Sequence, residues 1–456
     1  MGRLLFACLA VASACSFEHG RLNPGGSDAG GDDGMMPDTV PPDGSDCTGP
    51  SIECADNDTL RTCSGAGVAY HDDPCAWGCT GPSGSAHCAN LVPHAGAVTK
   101  ADTMNLSALS EPTLTDVTIN GDTGEIGTAS NASSVRAAGT GPGNSGIDYE
   151  VRASGTVALF RFKKLTLAGT ITLKGAKAIA IVSDDAITST AVINASGPCT
   201  NLGRTTGGGE AGPGGFRGGE QYMAGSGQGG GGPGTSGNPD EGGGGGGHGG
   251  TGGLGGGNSG SAGVAYEATI ANLIGGSGGG GAGGGGANSQ SGGGGGGAVQ
   301  LISNKTIGIT SGGINAGGCG GFSTTGPDGG AGGGAGGTIV LEAPSITIAG
   351  TLAVNGGGGG AGSTATQAQG ENGKLSRAAA LGATGSSTGG DGAAGGTLNG
   401  GPGEVSGGKA SGGGGGIGRM RLNTKRDAFL TTTNATLSPN FSDTNTTATH
   451  GSAATN

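Results

Sequence analysis

The segment 333–360 reads GGAGGTIVLEAPSITIAGTLAVNGGGGG. It contains three short β-rich pieces, IVLE, ITIA and LAVN, which are joined by one or two small residues and flanked by glycine. The same pattern occurs at 294–318 and at 177–197, with Val299 and Ile339 in matching positions. A unit that recurs in this way is typical of repeat architectures, in which each unit buries its apolar face on its neighbours. We therefore predict an all-β fold, a right-handed parallel β-helix with long glycine-rich insertions, preceded by a small disulfide-rich module.

The composition excludes several classes of protein. The 456 residues include 117 glycines and 18 prolines, without the strict Gly-X-Y period of collagen. The aliphatic residues are concentrated in blocks with alternating polarity, which favours strands over disorder. The formal net charge of -12 disfavours nucleic acid and anionic lipid surfaces as partners. We accordingly expect no nucleic-acid partner and no cofactor.

The first residues predict export. Residues 1–15 read MGRLLFACLAVASAC, with Arg3 before an apolar run that is too short to span a bilayer. The small residues before Cys15 are similar to a bacterial lipobox, so we predict a lipoprotein with acylated Cys15 on the outer membrane or cell surface. An ordinary signal-peptidase site would cut at the same bond and give a secreted protein. Residues 16–46 are rich in aspartate and proline and predict a disordered acidic linker.

Residues 47–90 carry an even set of cysteines and predict a small module held by three disulfides. The six residues are Cys47, Cys54, Cys63, Cys75, Cys79 and Cys88. Fifteen pairings are open. A metal site is the rival interpretation, since His71, Asp72, Asp73 and His87 lie among the cysteines. Because zinc sites favour a CxxC knuckle that is missing here, we predict no metal. Trp77 is expected to pack on the cystine core.

The order TLRTCSGAG (59–67), PCAWGCTG (74–81) and HCANLVP (87–93) resembles a six-cysteine module on exported glycine-rich proteins of myxobacteria and related bacteria. The stretch GGGGGIGRMRLNT (412–424) and the Thr/Asn/Ser-rich tail with LSPNFS (437–442) also match that family. The resemblance covers nearly the whole mature chain. It implies a β-helical, glycine-rich body and an exported location, and it implies no activity.

We assign the β-helix to 91–441 and a disordered tail to 442–456. Alternate residues of a strand face the same side, so four side chains are predicted to line the core: Leu165, Leu167, Ile171 and Leu173. Three cations are expected to point outward or to cap the first coils: Arg161, Lys163 and Lys164.

Four asparagines each follow Val or Ile at the end of a β-rich block and precede Gly or Ala. They are Asn120, Asn194, Asn315 and Asn355. Asparagine suits tight bends because it tolerates left-handed backbone and hydrogen-bonds its own turn. A stacked asparagine ladder and four separate turns are both compatible with this pattern.

Cys199 and Cys319 follow two of these asparagines by a few residues and so occupy the same phase of the repeat. Neighbouring coils lie about 4.8 Å apart, which permits a disulfide between them. We predict this bond, provided that the block 264–276 does not form a full coil between the two cysteines.

Glycine tracts occupy 203–297, 317–337 and 356–416 and leave each coil just after the asparagine turn. Flexible solvated loops are the first expectation, because glycine loses the most backbone entropy on ordering. The alternative is a set of extended polyglycine-II rods with backbone hydrogen bonds between rods.

Candidate catalytic groups are few. The elements Asn120-Gly121-Asp122, Asp184-Asp185 and Gly247-His248-Gly249 are similar to those of polygalacturonases, where paired carboxylates act as acid and base. The Arg-x-Lys element of that family is missing. We therefore predict solvated turn aspartates, an incidental histidine and no catalytic residue. Asp240, Asp328 and Asp391 are solitary, which argues against calcium-binding nonapeptide repeats and any other metal site.

These features favour a non-enzymatic structural or adhesive display protein of the cell surface. Its expected partners are the outer membrane, through the lipid anchor, and extracellular polysaccharide or other surface proteins. The alternative is a polysaccharide-binding or polysaccharide-cleaving, pectinase-like β-helix protein.

Overall fold

The computed structural model describes residues 47–128, 134–199, 207–235, 241–258, 260–284, 290–323, 329–362, 368–426 and 429–456. The predicted signal peptide, Cys15 and the acidic linker lie outside these residues. The described part is all-β, with short 3-10 helices and no α-helix. None of its helices has the length and apolar character needed to cross a membrane. Residues 47–456, which include the six-cysteine module, belong to one compact unit.

Short strands follow one another along the described chain. The strands are β1 Ser51–Asp56, β2 Thr59–Cys63, β3 His71–Pro74, β4 Cys79–Thr80, β5 His87–Cys88, β6 Leu91–Val92, β7 Thr113–Asn120, β8 Ile126–Thr128, β9 Ser134–Arg136, β10 Asp148–Arg152, β11 Val157–Phe162, β12 Leu165–Lys174, β13 Ala178–Ser183, β14 Ile187–Ser189, β15 Val192–Asn194, β16 Ala298–Ser303, β17 Thr306–Ile309, β18 Gly313–Asn315, β19 Phe322–Ser323, β20 Thr338–Glu342, β21 Ser345–Ile348, β22 Thr351–Ala353, β23 Ala368–Gln369, β24 Val405–Ser406, β25 Lys409–Ala410, β26 Arg419–Thr424, β27 Leu430–Thr431, β28 Thr436–Ser438, β29 Ala448–Ser452 and β30 Ala454–Thr455. The 3-10 helices are Lys100–Thr103, Gly143–Ser145, Ala153–Gly155 and Gly256–Asn258.

The predicted three-strand repeat is present. The pieces IVLE, ITIA and LAVN form β20, β21 and β22, and each pairs in parallel with the corresponding strand of the preceding repeat, β16, β17 or β18. Val299 lies opposite Ile339, as their matching positions predict. One sheet has the order β10-β11-β13-β16-β20-β26-β29, and the other runs through β27-β21-β17-β14-β12-β15-β18-β22-β28. The chain therefore stacks successive three-strand repeats in parallel.

The core lies between these stacked strands. Leu165, Leu167, Ile171 and Leu173 are buried in one continuous apolar cluster, as predicted. The same cluster contains aligned residues of later repeats, such as Ile307 and Ile346. Stacking like side chains in register buries each repeat on the next, which explains why an isolated repeat would not be stable.

Both ends of the stack are covered. Near the N-terminal end, β10 pairs antiparallel with β11, and Arg161 forms ion pairs with Asp148 and Glu150 of β10. At the other end, the tail 442–456 was expected to be disordered, but β29 pairs in parallel with β26 and β30 pairs with β6. The tail is ordered because its backbone continues the sheet, although its composition is polar.

The six cysteines form three disulfides, Cys47–Cys63, Cys54–Cys79 and Cys75–Cys88. The module docks on the strand stack: Lys425 donates to the Cys75 carbonyl at 2.8 Å and pairs with Asp58 at 3.0 Å. Trp77 is buried in an apolar cluster with Ala89 and Leu91 that extends to Val340 on the outer side of the strands.

Candidate functional site

The glycine tracts are ordered, so the expectation of flexible loops is wrong for the described residues. Glycines 242–247 are all buried. Their N–H groups donate in turn to three neighbouring segments: 242 and 245 to 253–256, 243 and 246 to 330–333, and 244 and 247 to 229–232. A period of three residues in hydrogen bonding is that of a polyproline-II helix, which has three residues per turn. We call each stretch of this kind a rod.

The rod 329–337 lies at the centre of the array. It is hydrogen-bonded to six neighbouring rods among the described residues: 290–297, 316–323, 354–361, 410–418, 241–247 and 275–283. These six are also bonded to one another in ring order, for example Gly280 to Gly244 and Gly413 to Gly243. The array is therefore packed in two dimensions, unlike a sheet, in which each strand has at most two hydrogen-bonded neighbours.

The strand stack positions the rods. The rods 290–297, 329–337 and 410–418 lead directly into β16, β20 and β26, which are neighbours in one sheet. The rods 316–323 and 354–361 follow β18 and β22, which are neighbours in the other sheet. Because the strands are in parallel register, the rods enter and leave the stack side by side. This agrees with the prediction that the insertions leave each coil just after the asparagine turn.

Close packing of rods requires glycine. A Cβ atom added at Gly245 would lie 1.9 Å from the carbonyl oxygen of Gly414, and one at Gly332 would overlap the carbonyl of Gly244. Such overlaps involve backbone on both sides and cannot be relieved by turning a side chain. The interior of the array consequently consists of backbone, with few side chains of any chemistry.

His248 is the main exception, and it is not the incidental solvated residue that we expected. Its side chain is fully buried at the end of the rod 241–247. Nδ1 lies 2.8 Å from the Gly336 carbonyl oxygen, and the ring stacks on Tyr266 with centroids 4.7 Å apart. Burial lowers the pKa of His248 to about 4, and the nearby Arg419 cation acts in the same direction. The imidazole is therefore held neutral and joins the end of the rod 241–247 to the rod 329–337.

Tyr266 extends this polar contact. Its hydroxyl donates to the Gly275 carbonyl at 2.7 Å and accepts from Ser277, whose Oγ also accepts from the Gly229 N–H. Arg419 donates to the Tyr266 carbonyl at 2.9 Å. These contacts fasten three rods to β26, so the side chains of Tyr266, Ser277 and Arg419 serve to hold the array together.

The other polygalacturonase-like residues have separate partners. Asp122 accepts from the Ala176 N–H and pairs with Lys177 at 3.1 Å. Asp184 accepts from Asn304 at 3.2 Å, whereas Asp185 accepts from its neighbouring backbone N–H and pairs with Lys305 at 3.3 Å. These aspartates do not lie together with His248, whose side chain contacts glycine backbone instead. No shared acid–base pair results.

Three of the four asparagines hydrogen-bond their own turns. Oδ1 of Asn120, Asn194 and Asn315 each accepts from the N–H two residues later, at 2.9, 3.1 and 3.1 Å. Asn194 and Asn315 are in register, but the next residue in that row is Ala353. Asn355 lies two residues further on and binds the Lys374 and Ser376 carbonyls instead. A continuous ladder is thus prevented by the register.

A disulfide joins Cys199 and Cys319, with Cα atoms 5.2 Å apart. The bond fits because β13 pairs directly with β16, so no coil separates the two repeats. The block 264–276 contains no strand and lies in the rod array, which corrects the alternative of a degenerate coil there. The disulfide ties the start of the longest insertion to the rod 316–323.

Metal-ligating clusters are missing from the described residues: no group of three or more His, Cys, Asp or Glu is suitably placed. His71 pairs with Asp73 at 3.0 Å and Arg61 with Asp72 at 2.8 Å. Asp391 accepts from the Gly382 N–H, while Asp240 and Asp328 lie outside the described residues.

Sequence reasoning missed Glu342, a fully buried carboxylate on β20. It accepts from the His94 N–H at 3.0 Å, from Gln300 at 2.8 Å and from Asn423 at 3.0 Å. Burial raises its pKa, and these three hydrogen bonds act against that rise. A single acid inside the apolar piece IVLE is the signal that could have found it. Its geometry fastens the segment after the module to three successive strands.

Comparison of the chain with protein-family models, with curated proteins and with solved structures finds no match.

A Gly245→Ala substitution tests the packing of the array. The added Cβ has no room beside the Gly414 carbonyl, so we expect unfolding to become easier by about 3 kcal/mol or more. Chemical denaturation measures the change. The control is Ser261→Ala, at an exposed position of a neighbouring rod, which should change stability by less than about 0.5 kcal/mol. Equal effects of the two changes would refute the packing.

His248 predicts a pH dependence. Its pKa is about 4 in the folded chain, below the ordinary value of 6.5 that applies to the unfolded chain. As the pH falls, the unfolded chain therefore binds the proton before the folded chain does. The stability from the neutral ring is complete above about pH 6.5 and is lost as the pH falls towards 4, by about 3 kcal/mol. Denaturation curves of the wild type and His248→Asn, which does not titrate, should converge over this window. Parallel curves would show that the ring does not titrate in this way.

Proposed function

We propose that this protein is a non-enzymatic structural or adhesive display protein of the cell surface. In this proposal the stacked repeats coil as a right-handed parallel β-helix, and acylated Cys15 anchors the chain in the outer membrane. The observation that carries the proposal is the rod 329–337 with its six hydrogen-bonded neighbours.

The array supports a mechanical function because its interior offers backbone and little else. Hydrogen bonds in a dry interior are electrostatically stronger than in water, and each interior glycine contributes its own N–H. A body of this kind resists deformation but provides few side chains for binding or catalysis. Its chemistry is therefore presented by the outer rods and by the exposed turns.

The disulfides support export. Three of them hold the N-terminal module and a fourth holds the array, and disulfides of this kind persist in oxidising compartments. The resemblance of the cysteine module to exported myxobacterial proteins points the same way. In the proposal, residues 16–46 act as a spacer that holds the body off the membrane.

The partners in this proposal are extracellular polysaccharide or other surface proteins, which the body would meet in the extracellular matrix. The pectinase-like alternative is less well supported, because Asp184, Asp185 and His248 bind separate structural partners. Reducing or unsaturated ends released from polyuronate by the wild type, but not by an Asp184→Asn, Asp185→Asn variant, would favour that alternative.

A Cys15→Ser substitution tests anchoring and display together. An epitope inserted between Gly407 and Gly408, in the exposed turn of the β24–β25 hairpin, reports the position of the body. Antibody should label intact cells that express Cys15, since the body faces outward. With Cys15→Ser the epitope should leave the membrane fraction, because the acyl chains that hold the protein are lost.

The matched control is Cys8→Ser, which changes the other cysteine of the leader and should leave the protein attached. Labelling that requires permeabilised cells would contradict display. Equal membrane retention of both variants would contradict the lipid anchor.

A further inference from the structure

Three rods form a flat outer row of the array, 250–257, 260–266 and 398–404. Gly400 and Gly403 donate to the carbonyls of Thr251 and Leu254. On the other side, Gly252 and Gly255 donate to the carbonyls of 263 and 260. The row lies on the rods 241–247 and 410–418. The Gly253 N–H donates to the Gly414 carbonyl, and the Gly253 carbonyl accepts from the Gly245 N–H. We call this row the outer face.

The middle rod of the outer face, 250–257, has glycine where it faces other rods and side chains at two of its other positions. At Gly252 and Gly253 an added Cβ would overlap the backbone carbonyls of Gly245 and Gly401. The two other positions, Thr251 and Leu254, carry side chains and are three residues apart. Because a polyproline-II rod has three residues per turn, these two side chains lie on the same side of the rod, with Leu254 exposed and Thr251 partly buried.

The flanking rods repeat this pattern. Ser261 and Val264 are exposed on one side, and Asn399 and Pro402 are exposed on the other, each pair again three residues apart. Leu254 and Val264 are 53% and 59% exposed, so they contribute little to any core. Apart from the exposed Gly257 at the end of the middle rod, each outward turn of the row thus carries a Cβ, whereas the positions that face other rods are mostly glycine.

We propose that these outward side chains terminate the array. Rods pack on one another mostly where Cβ atoms are missing, although the central rod also holds the buried Ala331 and Ala335. An outer face made of glycine would therefore accept the same face of a second copy of this chain. The side chains at the outward turns of all three rods remove that option. The device is the counterpart of the charges and prolines that protect the edge strands of β-sheets from further pairing.

The alternative is that the exposed Leu254 and Val264 serve only as an apolar docking surface. The two interpretations differ in what alanine does. Alanine removes most of the apolar surface of these residues but keeps the Cβ atom, and glycine removes both. If the Cβ atoms are the barrier, the glycine variant should associate and the alanine variant should not.

The test compares two variants of the full chain by sedimentation velocity over a range of concentrations. The first carries Thr251→Gly, Leu254→Gly, Ser261→Gly and Val264→Gly, and the second carries alanine at the same four positions. We expect the glycine variant to self-associate, with a dissociation constant at least about tenfold lower than that of the wild type. The alanine variant should associate no more than the wild type.

Since four new glycines lower stability through the unfolded state, the pair Leu254→Gly, Val264→Gly provides a milder variant. Circular dichroism and the intact Cys199–Cys319 bond verify that each variant is folded. Folded glycine variants that stay monomeric would overturn the proposal. Association of the alanine variant to the same degree would also overturn it.

Discussion

The missing Cβ of glycine is the constraint on which the rest of this structure depends. Rods approach closely enough for direct backbone hydrogen bonds only because no side chain stands between them, as the overlap of a Cβ at Gly245 with Gly414 shows. Each interior rod can then satisfy its donors on several sides, and 242–247 does so on three. In a close-packed interior with few side chains, this hydrogen bonding replaces the usual apolar core of side chains.

Glycine order has a large entropic cost, and the fold offsets it by supplying the rods with a template. The stacked strands bury an apolar cluster and hold the rod ends in register. The Cys199–Cys319 bond closes the longest insertion and so restricts the unfolded chain. His248 then joins two rods of the array, and Glu342 fastens the N-terminal segment to the strands.

Local patterns in the sequence predicted the strand repeat well. The alternation in IVLE, ITIA and LAVN and the burial of Leu165 follow from side chains that face one core. The pairing of Cys199 with Cys319 followed from their common phase in the repeat. These features depend on contacts between equivalent positions of successive repeats, and those positions carry similar residues.

The order of the glycine tracts and of the tail depends on contacts that composition does not reveal. Glycine tracts predict flexibility when each is considered alone, because their order arises from rods distant in sequence. The spacing of Thr251 and Leu254 was a usable signal, since side chains three residues apart mark the solvent side of a rod. The polar tail 442–456 was misjudged because its backbone pairing with β26 leaves little trace in its side chains.

Amide hydrogen exchange of the rods, followed by mass spectrometry of proteolytic peptides, tests the central claim most directly. If the rods are hydrogen-bonded to one another, amides of 290–297, 329–337 and 410–418 should exchange as slowly as those of β16 and β20. The exposed turn around Gly407 should exchange quickly and provides an internal reference. Exchange of the three rods at the rate of an unfolded chain, while the strands stay protected, would contradict the account.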